Sequence, residues 1–155
     1  MEAPQRIEPR GLTDYLEAMS KAVFQSGISW KVVETKWPGI REAFKGFDAE
    51  AIARFTPDDV DRLTADSRVI RNRRKLEATI ENARQMLELE KQHGSFRNYL
   101  RSHGGFEGTA ADLRRRFRFL GDLGAYHFLW VVSEEVPPYE LWCVSRGRIP
   151  RVVAR

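Results

Sequence analysis

Two short runs carry the side chains best suited to chemistry on a nucleic acid. In Gln25-Ser26-Gly27-Ile28-Ser29-Trp30, a loop of small residues separates an apolar stretch from a tryptophan that begins the next helix-like segment. In Phe117-Arg118-Phe119-Leu120-Gly121-Asp122-Leu123-Gly124-Ala125, a glycine turn lies between two helical stretches with arginines beside it. The first run offers an aromatic face and an apolar wedge. The second offers backbone N–H groups at a helix start, where a phosphate can be received. Gripping a phosphate backbone while holding one base out of its stack needs parts of both kinds.

Each part also has a plainer reading. Gly121, four residues before Ala125, matches the second glycine of a helix-hairpin-helix, with Phe119 in the place of the first; an αα-hairpin that binds nothing has the same pattern. Arg114, Arg115, Arg116 and Arg118 form a solvated face or a backbone clamp. Arg68, Arg71, Arg73, Arg74 and Lys75 open the longest helical stretch. Cations oppose the macrodipole there, a placement that favours a binding role. Trp30 is a stacking platform or a core residue, and Ile28 is suited to wedge into a base stack. Trp130 and Phe128 read as core, and His127, among aromatics, as a satisfied buried histidine. Glu134, Glu135 and Glu140 follow the hairpin. Beyond Pro137-Pro138, Glu140 is placed to return over the site and stabilise an oxocarbenium ion or position water; a surface glutamate is the alternative.

The elements that must position these residues are helical. Tyr15, Leu16, Met19, Ala22 and Val23 predict a helix over Thr13–Gln25, capped by Thr13 or Asp14 and ended by Gly27. Ser29 is placed to cap a helix from Trp30 to Thr35 or Trp37, broken at Pro38-Gly39, with a further piece over Ile40–Phe44. Asp48 caps a short helix to Arg54. Thr56-Pro57-Asp58-Asp59 is a strong helix start carrying Val60, Leu63 and Ala65. Leu76, Ile80, Ala83 and Leu87 stripe a long helix from Asn72 to His93, closed by Gly94. Ser95 opens Phe96–Arg101, Thr109 caps Ala110–Phe117, Asp122 or Leu123 starts a helix to Ser133, and Tyr139–Cys143 forms a last turn. The chain reads as all-α: a tail over 1–12, one domain over 13–143, and a basic tail over 144–155.

The 155 residues suit one domain or two small lobes sharing a core, and 42% hydrophobic content is enough to build it. The net charge of +4 permits a polyanionic partner without requiring one. A single cysteine, Cys143, excludes an intramolecular disulfide and any zinc site that needs two cysteines. No signal peptide and no membrane span is read from the sequence. A monomer in the cytoplasm is expected.

Four stretches together resemble the bacterial 3-methyladenine DNA glycosylase I family, within the helix-hairpin-helix glycosylase superfamily. They are Gln25 to Trp30; Phe44 to Asp48; Val69 to Lys75 with Asn82-Ala83; and Phe117 to Gly121. The similarity runs from about Tyr15 to about Val132, and the family also departs from the double glycine at Phe119. The resemblance implies a two-lobed all-α fold that excises N3-alkylated adenine from damaged double-stranded DNA. By position, Trp30 is similar to the family's base-stacking tryptophan, Ile28 with Gly27 to the loop that enters the duplex gap, and Gly121 to the hairpin glycine. On this basis Tyr15, Ala22, Gln25 and Trp30 are expected at the base. Gly27, Ile28, Ser29, Arg71, Arg73, Arg118, Gly121, Leu123 and Gly124 are expected on DNA, and Glu140 is the candidate catalytic carboxylate.

The chain departs from the family in three ways. The family's N-terminal segment, with its tyrosine, tryptophan and Cys and His metal ligands, has no counterpart here. The C-terminal ligand pair is reduced to Cys143, so no structural zinc and no cofactor is expected. Ala22 falls where the family has a base-recognition glutamate. Three other readings remain: a non-catalytic reader of distorted DNA, a glycosylase for a different lesion using Glu140, and a helical protein-interaction domain.

Overall fold

The computed structural model describes residues 5–147. The elements are α1 (Leu12–Gln25), α2 (Trp30–Ala43), a 3-10 turn (Lys45–Phe47), α3 (Ala49–Ala53), α4 (Pro57–Thr64), α5 (Arg73–His93), α6 (Phe96–Leu100), α7 (Phe106–Arg116), α8 (Asp122–Val131) and α9 (Tyr139–Ser145). No strand occurs among the described residues, so the all-α expectation holds. Helices α1 and α5 pack together at the centre. One group of helices, α2 to α4, and a second group, α6 to α9, rest on this pair: α3 and α4 on α5, α6 on α5, α8 on α1, and α7 on α8.

Local chemistry sets most boundaries. Thr56 and Asp59 form a reciprocal capping box with Pro57 at the first helical position. Asp48, Asn72 and Ser95 each accept a backbone N–H at the start of α3, α5 and α6. Gly94, at φ 86°, ends α5 in a conformation that a side chain would strain.

Three boundaries differ most from expectation. Helix α1 begins at Leu12 after Gly11 with no side-chain cap, so neither Thr13 nor Asp14 caps it; both lie inside the helix. Helix α2 runs through Pro38 instead of breaking there. An interior proline costs about 3 kcal/mol. Burial of Val33, Trp37 and Ile40 on one face of α2 offsets it at roughly 1.5–3 kcal/mol for each side chain. Gly39 is needed for close approach, since a Cβ there would lie 3.0 Å from the Arg68 Cβ and 3.1 Å from its carbonyl oxygen. Helix α7 starts at Phe106 rather than after Thr109. Thr109 lies inside it and donates its hydroxyl to the carbonyls of Leu100, at 2.9 Å, and Gly105, at 3.0 Å. It ties α7 to the end of α6 instead of capping a helix.

The residues before α1 lie against α8. Ile7 donates its N–H to the Val131 carbonyl at 2.7 Å, and Ser133 Oγ donates to the Ile7 carbonyl at 2.6 Å. Arg6 sits 5.1 Å over the Trp130 ring. Of the stretch expected as a basic C-terminal tail, Val144 and Ser145 close α9, and residues 148–155 lie outside the described residues.

Candidate nucleic-acid interface and base site

The loop between α1 and α2 is held from below. Gly27, at φ 76°, takes a left-handed turn that a residue with a Cβ disfavours, although a Cβ there would meet nothing. Ile28 is half-buried and rests on the edge of the main core. Ser29 starts α2 through its carbonyl, which accepts from Val33 N at 3.1 Å; its hydroxyl makes no cap. Lys75, read from sequence as one cation in a basic run, is 4% exposed. Its ammonium donates to the carbonyls of Ser26 and, at 3.4 Å, Phe24, taking up two carbonyls that α1 leaves unpaired at its end. Burial pushes the Lys75 pKa down.

The turn between α7 and α8 is held from the same helix. Asn82, 2% exposed, accepts from Arg118 N at 2.9 Å and donates to the Arg118 carbonyl at 3.1 Å. Phe119 adopts φ 58°, a left-handed conformation costing about 1–2 kcal/mol for a residue with a Cβ. This explains why a glycine suits that position in the usual hairpin. The exposed Phe119 ring lies under the Arg74 guanidinium at 5.5 Å. Gly121 precedes α8, and no side chain caps this helix. Its first-turn amides, at Leu123 and Gly124, therefore have no partner within the helix.

The arginines around the turn are occupied. Arg118 pairs with Glu81 at 2.5 Å and Arg114 with Asp122 at 3.3 Å, while Arg115 and Arg116 both hold Asp112. Arg73 pairs with Asp61 and Glu77, each at 2.9 Å. Arg71 is exposed and makes no ion pair among the described residues. Exposed ion pairs contribute little to stability, so Arg73 and Arg118 can exchange a carboxylate for a phosphate at small cost. Asp112 differs, since it also accepts from the Tyr99 hydroxyl at 2.7 Å and faces His103 at 3.1 Å. Burial alone would raise its pKa, but hydrogen bonds from Tyr99, Arg115, Arg116 and His103 overcome that and hold the carboxyl well below its usual range.

Trp30, half-buried at the start of α2, meets His127 of α8 at 5.9 Å with the rings inclined at 73°. His127 also faces Tyr126 at 6.0 Å and Tyr139 at 6.2 Å. Tyr126 and Tyr139 both pack on Trp142. Burial pushes the His127 pKa down, and no hydrogen bond among the described residues engages either ring nitrogen. The structure thus brings Trp30 to His127, which in turn meets Tyr126 and Tyr139. Ala22 and Gln25 are half-buried on the last turns of α1. Tyr15 is 4% exposed and packs in the core against Phe96, with ring centres 5.1 Å apart and the planes tilted by 57°. Glu140 is exposed in the first turn of α9, next to Tyr139. Glu134 is held by Arg101 at 3.0 Å and lines a separate cavity of about 740 Å³, with Arg6, Tyr126, Trp130 and Pro138. Trp30 and His127 are not among its lining residues.

A family model described as methyladenine glycosylase matches residues 12–116. The chain belongs to this family. A DNA-3-methyladenine glycosylase of Haemophilus influenzae is 33% identical, over 68% of this chain and 68% of its own. DNA-3-methyladenine glycosylase 1 of Escherichia coli is 37% identical over 49% of this chain and 41% of its own. Among solved structures, 3-methyladenine DNA glycosylase I from Staphylococcus aureus has a TM-score of 0.73 at 26% identity, covering 83% of this chain and 79% of that one. A substituted form of 3-methyladenine DNA glycosylase I in complex with 3-methyladenine has a TM-score of 0.71 at 25% identity, covering 84% and 80%.

A structural zinc, as the family resemblance implies, does not fit the described residues of this methyladenine glycosylase family member. Its one cysteine, Cys143, is buried against Trp142 and Tyr126. No group of three His, Cys, Asp or Glu side chains converges among the described residues.

Three residues that organise the site, Lys75, Asn82 and His127, have roles other than those the sequence suggests. Lys75 and Asn82 stand seven residues apart, hence on one face of α5, and each interrupts an apolar stripe. That interruption was the available signal. His127 gave no such signal, because its partner Trp30 is close only in the fold.

Proposed function

We infer that this chain is a DNA N-glycosylase that removes alkylated purines of the 3-methyladenine type by base flipping and hydrolysis. The observation that carries the reading is the half-exposed Trp30, set between the Gly27–Ile28 loop and the aromatic end of α8. In this reading the α8 amides at Leu123 and Gly124, beyond Gly121, receive a phosphate. Arg71, Arg73 and Arg118 flank it as counter-charges. Ile28, with Gly27 and Ser29, fills the gap left by the extruded nucleotide. The base stacks on Trp30, with Ala22 and Gln25 of α1 beside it and Tyr15 on the same α1 face beneath Ala22.

The chemistry asks little of the protein. An N3-alkylated purine carries positive charge, which an aromatic face attracts. When the C1′–N9 bond breaks, its electron pair moves onto the purine and neutralises it. Water then adds to C1′ and its proton passes to solvent. Positioning and exclusion of competing water do most of the work. The base departs neutral, so its departure requires no acid, and position 22 is alanine here. A second reading, a glycosylase for a neutral lesion with Glu140 assisting departure, is favoured by the contact of neighbouring Tyr139 with His127. The protein is taken to act as a monomer in the cytoplasm, and no helix among the described residues is long and apolar enough to cross a membrane.

The test is release of free base from methylated duplex DNA by the purified, chelator-treated protein. Release of 3-methyladenine, unchanged in Glu140→Gln, supports the first reading. Loss of release in Glu140→Gln with DNA binding intact moves the assignment to the second. Salt-sensitive DNA binding with no release from any alkylated substrate makes the protein a non-catalytic reader.

A further inference from the structure

The site around Trp30 has an aromatic wall but, at position 22, no polar group to read the edge of a base. We propose that His127 supplies it, touching the base stacked on Trp30 and hydrogen-bonding its edge. The inference rests on the glycosylase reading and deepens it.

Three observations carry it. The first is placement. The imidazole stands beside the indole, 5.9 Å away and inclined at 73°, so it does not stack on Trp30. A purine lying parallel to the indole presents its edge to a ring at that inclination. The second is availability. His127 is half-buried, and neither ring nitrogen has a hydrogen-bond partner among the described residues. Its surroundings are the rings of Trp30, Tyr126 and Tyr139. A purine would satisfy what the fold leaves open. The third is chemistry. Burial favours the neutral imidazole, which has one donor and one acceptor and does not repel a cationic base. Adenine offers an N6 amino donor and an N7 acceptor along one edge, so either imidazole nitrogen finds a match.

The geometry also separates His127 from the other candidates. The Tyr15 ring is packed in the core against Phe96, with its hydroxyl buried and unpartnered there, and Glu134 is held by Arg101. Neither makes a ring contact with Trp30 or His127.

The experiment uses the full chain labelled with 15N-histidine, with free 3-methyladenine as the probe. His127→Ala identifies the His127 resonances among those of the three histidines. The expected result is that added 3-methyladenine shifts the His127 ring nitrogens and leaves His93 and His103 in place. His127→Ala should weaken binding of the base, and its release from methylated duplex, about tenfold, the loss of roughly one hydrogen bond. His127→Asn, which keeps a donor and an acceptor, should recover part of that loss. An unmoved His127 resonance at saturating base overturns the proposal, as does His127→Ala within twofold of wild type in both binding and release. If wild-type protein releases no base, the glycosylase reading fails. The resonance shift on free base then still decides the role of His127, independently of cleavage.

Discussion

The two loops expected on DNA and the site expected around the base are built differently. The loops are fastened to one rigid helix by buried polar side chains: Lys75 under the Ser26 and Phe24 carbonyls, and Asn82 on both backbone groups of Arg118. The site expected around the base is joined through ring contacts, His127 standing 5.9 Å from Trp30 and 6.2 Å from Tyr139. Buried hydrogen bonds fix a geometry sharply, because leaving one unmade costs more than making it gains. Aromatic edges fill space with little penalty for rearrangement. On the proposed reading, the fold can hold the DNA-facing loops constant while residues expected at the base, such as Ala22, change. The family match over residues 12–116 includes both anchors on α5 and stops before His127.

The sharpest way to break this contrast is to damage the supports of the grip. Asp112 fastens the end of α7, which leads into the hairpin, to α6. Asp112→Asn leaves Arg115, Arg116 and Tyr99 with a neutral partner, and should cost about 3 kcal/mol of unfolding free energy in urea. The same carboxylate gives a pH signature. Its folded pKa is depressed, so its contribution is complete above the unfolded carboxyl value of about 3.9 and is lost as pH falls below it. Wild type should therefore lose stability in acid more steeply than Asp112→Asn, as followed by melting temperature against pH.

Asn82→Leu should cost about 2 kcal/mol by stranding the N–H and carbonyl of Arg118. It should also weaken duplex binding more than it slows release from DNA already bound. Lys75→Met leaves the Ser26 and Phe24 carbonyls without their donor, but it also removes a buried charge, which offsets part of that loss, so its stability cost should be smaller, about 1 kcal/mol. The freed 26–29 loop should nonetheless reduce base release at saturating DNA, a KM-against-kcat split opposite to that of Asn82→Leu. Chelation should be the smallest effect, leaving melting temperature and DNA binding unchanged.

Much of this was legible in the sequence where the cause is local. Thr56-Pro57-Asp58-Asp59, Asp48, Asn72 and Ser95 mark helix starts because each cap acts within three residues. The Gly27 loop and the turn at Gly121 stand out for the same reason. Tertiary causes were not legible. Pro38 reads as a break because the burial that overrides it comes from partners elsewhere in the fold. Thr109 reads as a cap because its acceptor, the Leu100 carbonyl, belongs to the preceding helix. Lys75 reads as one more surface cation because its burial depends on α1. His127 reads as a core histidine whose needs are met, whereas the fold leaves its nitrogens without partners.

The central claim, that Trp30 belongs to a base site separable from the grip on DNA, is tested most directly by one paired measurement on Trp30→Ala. Binding to methylated duplex and release of 3-methyladenine would be followed in the same samples. The account predicts duplex binding within about threefold of wild type and release reduced at least about tenfold, the scale of one lost base–aromatic stack. Release at the wild-type rate, or loss of binding and release in equal measure, would contradict it.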